Sequence, residues 1–143
     1  GNIRVHVTKG KGRKISPEVN KLLKLEEKSG LNELATYTKF AKRVKKARIN
    51  FMDFLISTKK SGKHIVGDAA PGRCVTLFNY YGVDSEFIPY ITEQPASLKL
   101  NMYLPGKHIP IINNQRIMDE QPDYVIMLAW HYAKAIMPKL KAR

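Results

Sequence analysis

Arg73, Thr76, Glu93 and Lys99 are side chains whose types and spacing could do chemistry together, and that chemistry is the holding of an anion. The first two lie in the stretch Lys63-His64-Ile65-Val66-Gly67-Asp68-Ala69-Ala70-Pro71-Gly72-Arg73-Cys74-Val75-Thr76. It reads as a short apolar strand, a loop of small residues, and a helix whose first turn carries an arginine and a threonine. A helix start leaves backbone N–H groups without partners and carries partial positive charge, so a phosphate placed there is stabilised. Gly67, Ala70 and Gly72 would let such a ligand approach the backbone. The loop lacks the second glycine of a G-x-G-x-x-G fingerprint, where Ala69 stands, and it lacks the lysine of a P-loop. The plainer reading is an ordinary tight connection from strand to helix.

Glu93 lies 26 positions beyond Gly67, close to where dinucleotide-binding folds place the acid that takes ribose hydroxyls. A surface glutamate in a loop is the alternative. The segment Ser97-Leu98-Lys99-Leu100-Asn101-Met102-Tyr103-Leu104-Pro105-Gly106-Lys107-His108 reads as a lid or binding loop. In it Lys99 could pair with a phosphate, Tyr103 could stack or hydrogen-bond, and Pro105-Gly106 makes a turn. His108 and His131 are expected at strand ends on or near the ligand side, where an imidazole could act as base or donor. His6 and His64 sit in strand patterns, so no metal-ligand set presents itself. There is no serine nucleophile elbow and no pair of carboxylates in matching loops. These residues describe a binding half better than a complete catalyst, with no catalytic residue assigned.

The elements that must position these residues follow from periodicity. Ile3 to Thr8 alternates like a half-buried strand, and Lys9 to Lys14 reads as a loop. Ser16-Pro17 starts a helix that runs through Leu25 to Gly30. A longer helix is expected from about Asn32 to Ser61, with Lys39, Lys42, Arg43, Lys45, Lys46 and Arg48 on its outer side. From Lys63 the pattern becomes strand and helix in alternation. Strands are predicted at His64 to Gly67, Phe87 to Ile91, Ile109 to Ile112 and Tyr124 to Ala129. Helices are predicted at Arg73 to Tyr81, Asn114 to Glu120 and Tyr132 to Leu140. Apolar strands separated by helices argue for a mostly parallel, Rossmann-like α/β sheet covered by helices. The expected organisation is therefore a strand and basic helical segment over residues 1–62 and a Rossmann-like domain over residues 63–143. Such sheets bind ligands beyond the carboxyl ends of their strands. Four loops are expected at that edge: Asp68 to Gly72, Thr92 to Gly106, Asn113 to Gln115, and Trp130-His131.

At 143 residues the chain is the size of one ordinary domain with an appendage. Its single cysteine, Cys74, excludes an intramolecular disulfide and reads as a packing residue, which fits a reducing, cytoplasmic interior. No apolar run is long enough to span a membrane. The net charge of +13 is uneven: 17 Lys/Arg face 5 Asp/Glu up to Lys63, and 8 face 7 thereafter. That basicity could attract nucleic acid, an acidic partner or an anionic small molecule. Nucleic acid is disfavoured, because the basic helix lacks exposed aromatics interleaved with its charges. A third reading is a structural role as a docking or homodimer surface.

Several strings in order give a more specific signal than any single motif. They are Gly67-Asp68-Ala69-Ala70-Pro71-Gly72-Arg73, Thr76-Leu77, Asn79-Tyr80-Tyr81-Gly82, Ser97-Leu98-Lys99, Tyr103-Leu104-Pro105-Gly106, His108-Ile109-Pro110-Ile111, Gln121-Pro122-Asp123-Tyr124 and Trp130-His131. With these, nearly the whole chain resembles the C-terminal domain of S-adenosylmethionine-dependent C-methyltransferases, a group that includes enzymes acting on nucleotide-linked deoxysugars. Many members carry G-Y-G-A-P-A-K-G-N-T in the first loop and D-R-N-P-x-K-Q-G before a Y-x-P-G turn. Asp68, Ala69, Gly72, Arg73, Cys74 and Val75 depart from the first string, and Glu93-Gln94 replaces the acid of the second. Arg73 preserves the cation. The resemblance implies a zinc-binding domain and a methyl-donor domain that uses S-adenosylmethionine, both ahead of this one, with this domain helping to hold a nucleoside-diphosphate sugar. The family's catalytic residues lie in the methyl-donor domain. The resemblance also implies one more strand beyond Lys141, making Arg143 a truncation point or the end of the ordered region.

Overall fold

A computed structural model describes residues 3–12 and 14–141; the expectation about Arg143 lies outside them. The chain divides into two compact units, Gly1–Lys45 and Lys46–Arg143.

The first unit is helical. Helix α1 spans Pro17–Lys28, capped by Ser16, whose hydroxyl accepts from the Glu18 N–H, with proline at the first helical position. Gly30 stops it at φ 66°, and Leu31 N–H returns to the Glu26 carbonyl. Helix α2, Leu34–Lys60, begins in this unit and ends in the second; contrary to the expectation that this basic helix lacks exposed aromatics, Tyr37 and Phe40 are exposed on it, and Arg43 lies over the Phe40 ring. The strand expected at Ile3 to Thr8 is absent. Those residues have no regular structure, and Ile3, Val5 and Val7 are exposed. Alternation describes which face a strand would bury; without a neighbouring strand to complete its hydrogen bonds, no strand forms.

In the second unit the latter part of α2 carries Phe51, Met52 and the buried Leu55 into the core. Gly62, at φ 69°, ends the helix, and Lys63 N–H closes onto the Thr58 carbonyl. Four strands follow: β1 Ile65–Asp68, β2 Ile91–Glu93, β3 Ile111–Asn113 and β4 Tyr124–Met127. All pair in parallel, in the order β3-β2-β1-β4. Helices α3 (Gly72–Tyr81), α4 (Gln115–Glu120) and α5 (Ala133–Lys141) alternate with them. This is the Rossmann-like arrangement expected from the alternation of strands and helices. The chain steps from β1 outward to β2 and β3, then crosses back to β4 on the other side of β1. The reversal between β1 and β4 opens the crevice in which such sheets bind ligands.

Two boundaries differ from expectation. Phe87 to Ile88 belongs to a turn in which both N–H groups return to the Asp84 carbonyl, so β2 begins only at Ile91 and Glu93 is its last residue. After β4 the apolar run bends into a 3₁₀ turn, Trp130–Tyr132, before α5. The core is built from Leu55, Ile65, Cys74, Phe78, Val83, Ile88, Ile91, Leu104, Ile109, Ile111 and Leu128.

Candidate functional site

The carboxyl ends of β1 and β2 bring Ala70, Glu93 and Lys99 together. The Glu93 Oε1 atom accepts from the Ala70 N–H at 2.8 Å and from the Lys99 ammonium at 3.2 Å. The same ammonium donates to the Ala70 carbonyl at 2.7 Å. One acid and one base therefore clamp both backbone groups of a single buried residue. This changes the expected roles. The Ala70 N–H is spent on a carboxylate, and Lys99 is held by Glu93 instead of standing free for a phosphate. Among the described residues no hydrogen bond is made to the second Glu93 oxygen, Oε2, on a side chain that is 13% exposed. Just before the clamp, Ala69 takes φ 65° and donates to the Thr92 carbonyl. A β-carbon residue in the left-handed region carries strain, and the bonds on Ala69 and Ala70 hold it there.

The glycines divide by role. A Cβ on Gly67 would lie 3.0 Å from Ile91 Cγ1 and 3.0 Å from Leu128 Cδ1, both buried side chains, so this glycine serves the packing of the sheet. A Cβ on Gly72 would meet nothing within 4 Å. Gly72 opens α3, whose start no side chain caps. The Arg73 and Thr76 side chains are exposed three residues apart on that helix, the spacing of neighbours on one face. The Cys74 N–H is bonded to the Pro71 carbonyl, and the first turn of α3 thus keeps the Gly72 and Arg73 N–H groups beside a cation, the arrangement that suits a phosphate.

The segment 97–108 is a pinned hairpin. Asn101 N–H donates to the Ile111 carbonyl, Ile111 N–H to Met102, and Leu104 N–H to Ile109. It runs antiparallel to the approach of β3, so its Pro105-Gly106 turn and His108 sit at the amino edge of the sheet, opposite the clamp. Asn79, late in α3, confirms that placement by donating to the Pro105 carbonyl at 3.1 Å. Neither a lid over the site nor His108 at its mouth follows from this path. The sequence placed His108 by its nearness to a strand end without distinguishing which end. Tyr103 lies on the hairpin, exposed, bridging Pro110 and making no bond to the clamp.

Over residues 1–143 the chain matches the family described as the C-methyltransferase C-terminal domain. The chain belongs to that family. It is also similar to the C-methyltransferase NovU of Streptomyces niveus, 30% identical over 127 residues, or 89% of this chain. The chain spans 30% of the length of that relative.

Within this family domain, His131 lies where expected along the chain, in the turn after β4 and so at the carboxyl edge. Its ring is exposed and packs against Tyr132 at 4.3 Å and Trp130 at 6.0 Å between centroids. Two residues of the loops expected at this edge, given no role of their own from sequence, also line it. Asp68, the last residue of β1, is buried and accepts from the Thr92 hydroxyl at 3.0 Å. Its signal was its departure from the family loop string. Trp130, about half exposed, stood in the expected Trp130-His131 loop without a role. Cys74 lies buried beneath the clamp, and burial pushes its thiol up to about 11, so it stays protonated and unreactive near neutral pH. Among the described residues no cluster of three His, Cys, Asp or Glu side chains could hold a metal ion. None of the helices there is long and apolar enough to cross a membrane.

Proposed function

We propose that this chain is the acceptor-holding domain of an S-adenosylmethionine-dependent C-methyltransferase, that its ligand is a nucleoside-diphosphate sugar, and that methyl transfer takes place in another part of the enzyme. The observation that carries the reading is the uncapped start of α3 beside Arg73, at the switch point of a parallel sheet, one strand from the free oxygen of Glu93. The helix start and Arg73 suit the diphosphate. Glu93 Oε2 suits the ribose diol, and His131 with Trp130 stands on the β4 side, where the sugar would lie. Lys99 and Ala70 act through Glu93 by fixing its carboxylate.

We place the methyl donor elsewhere. Its sulfonium is a fixed cation, and this edge presents the positive end of a helix together with Arg73. The donor therefore belongs to a preceding methyl-donor domain of the same polypeptide, along with the zinc site that the family implies, in the cytoplasm. The length of NovU, of which this chain spans 30%, leaves room for both. The first unit supports a covering partner: Leu23, Leu25, Leu34, Tyr37 and Phe40 are all more than half exposed on it. Most surfaces of lone soluble domains do not gather so many large apolar side chains.

Calorimetric titration with a panel of nucleoside-diphosphate sugars tests the reading. At least one should bind, and Arg73→Ala should weaken it by roughly 1.5–3 kcal/mol, the worth of a charge-assisted hydrogen bond. A chain that gives neither heat nor a thermal shift with every member of the panel would end this reading.

A further inference from the structure

Beyond β2 and β3 the carboxyl edge carries a second feature, a cleft of about 640 Å³ lined by Pro95, Asn113, Asn114, Gln115 and Met118. Its volume falls in the range of small-molecule sites, roughly 300–1,000 Å³. We propose that this cleft takes the base of the nucleotide, which gives the bound acceptor a direction: base over β2 and β3, ribose at Glu93, diphosphate at the start of α3, and sugar toward β4. The inference rests on the acceptor reading above and extends it to a set of residues with no role so far.

The lining favours a base over other groups. No charged side chain is part of it, so it offers nothing to a phosphate or an ammonium. Three consecutive carboxamides face a proline and a thioether. Asn113 Oδ1 accepts from the Gln115 N–H at 2.9 Å, and Gln115 Nε2 donates to Asp119 at 3.2 Å. Those bonds fix the two side chains and leave Asn113 Nδ2 and Gln115 Oε1 without partners among the described residues. Asn114, half-buried, precedes α4 but makes no side-chain cap bond, so both its amide oxygen and its amide nitrogen remain available. A row of unused donors and acceptors matches the alternating edge of a heterocyclic base, which a carboxamide can meet with one bond in each direction. Pro95 and Met118 provide apolar contacts for the ring, and a thioether packs well against aromatic systems.

Register puts the cleft at the right distance. Glu93 and Asn113 are paired residues on neighbouring strands, and Asn114 N–H donates to the Glu93 carbonyl at 2.9 Å. Strands lie about 4.8 Å apart, so a cleft over β2 and β3 begins roughly 7 Å from the β1 loop. One ribose spans that distance, and Glu93 stands between the two ends.

The test follows backbone amide shifts of the chain by nuclear magnetic resonance while adding thymidine, uridine, adenosine and guanosine, their 5′-diphosphates, and inorganic pyrophosphate. Shifts at residues 113–118 from one nucleoside in preference to the others are expected, with its diphosphate binding at least tenfold more tightly than pyrophosphate. Asn114→Ala should reduce that affinity at least tenfold and flatten the preference among bases while leaving pyrophosphate binding unchanged. Met118→Ala, away from the hydrogen bonds, should lower affinity for all bases alike. Circular dichroism of each variant establishes that the fold is kept. If diphosphates bind no better than pyrophosphate and Asn114→Ala changes nothing, the cleft is not the base site, though the phosphate cradle stands. If nucleosides shift 113–118 and pyrophosphate shifts nothing, the cleft stands and the cradle falls. Silence from every probe overturns both.

Discussion

Residues 1–45 and residues 46–143 are built on opposite terms. The second unit holds the whole buried apolar core, from Leu55 through Phe78 to Leu128, wrapped around a parallel sheet. Among the described residues of the first none is buried, and Leu23, Leu25, Leu34, Tyr37 and Phe40 are more than half exposed. Helix α1 buries nothing. Charge divides less sharply: residues 1–45 carry 12 Lys/Arg against 4 Asp/Glu, and residues 46–143 carry 13 against 8. Where packing is absent, local devices must define structure: a serine cap, a proline at the first turn, a glycine at the last. Such devices are worth about 1 kcal/mol each, against 2–5 kcal/mol for a well-packed core side chain. The second unit thus has a core of its own, and the first is defined by local devices.

The largest test of that contrast is a pair of phenylalanines. Phe78 is fully buried in α3, and Phe40, in the first unit, is 56% exposed. Phe78→Ala should cost about 3–5 kcal/mol in urea unfolding. Phe40→Ala should stay within about 0.5 kcal/mol. Equal losses would mean that Phe40 has a packing partner in solution and would collapse the distinction. Hydrogen exchange on the unmodified chain gives the same comparison without mutation. Amides of β1 and α3 should exchange only by global unfolding, and those of α1 by local opening, orders of magnitude faster.

A second pair separates packing from ligand approach within the larger unit. Gly67→Ala drives a methyl to 3.0 Å from two fully buried side chains, and overpacking of that kind costs about 1–3 kcal/mol. Gly72→Ala enters open space at the first residue of a helix, where alanine is the better helix former by up to about 1 kcal/mol. It should leave thermal stability unchanged or higher while weakening nucleotide binding. If Gly72→Ala binds as the parent does, nothing approaches that backbone.

The clamp gives a third, comparable effect. Glu93→Ala leaves the N–H of the buried Ala70 without its acceptor, which should cost about 1–3 kcal/mol by the penalty for an unmet buried donor. Lys99→Ala removes an ammonium that is about half exposed, so solvent screening holds the ion-pair loss below about 1 kcal/mol, and it takes the donor from the Ala70 carbonyl, a group whose unmet bond costs less than that of an orphaned N–H. The two variants should therefore rank in that order in a denaturant titration, and the reverse order would show that the ion pair outweighs the backbone bond.

These particulars show what the sequence could and could not tell. The parallel sheet of the second unit was legible, because apolar strands separated by amphipathic helices leave few alternatives to it; the order of its strands was not. The position of Glu93 was legible by its distance from Gly67. What it touches was not: its bonds to Ala70 and Lys99 depend on a loop geometry that the left-handed Ala69 creates, and alanine does not announce that conformation. His108 was misplaced for a related reason. A hairpin that doubles back along β3 is set by the pairing of Asn101, Met102 and Leu104 with β3 and its approach, and no local signal in 97–108 distinguishes it from a lid. At Ile3 to Thr8 the alternation was real and the partner strand was missing, and pairing is a property of the fold that a single segment does not contain.

The smallest effect tests the first unit on its own terms. Ser16→Ala removes the hydroxyl that accepts the Glu18 N–H at 3.3 Å, while Pro17 and Gly30 remain. With no core to share the loss, α1 should feel all of it: about 1 kcal/mol, or roughly fivefold faster exchange of the α1 amides, since 1.4 kcal/mol is tenfold. Exchange in β1 and α3 should not move, because α1 has no buried residue through which to pass the change on. A slowing or loss of the β1 and α3 protection on the same substitution would show that the two units unfold together. The larger unit would then depend on the helices of the smaller one for more than a covalent tether.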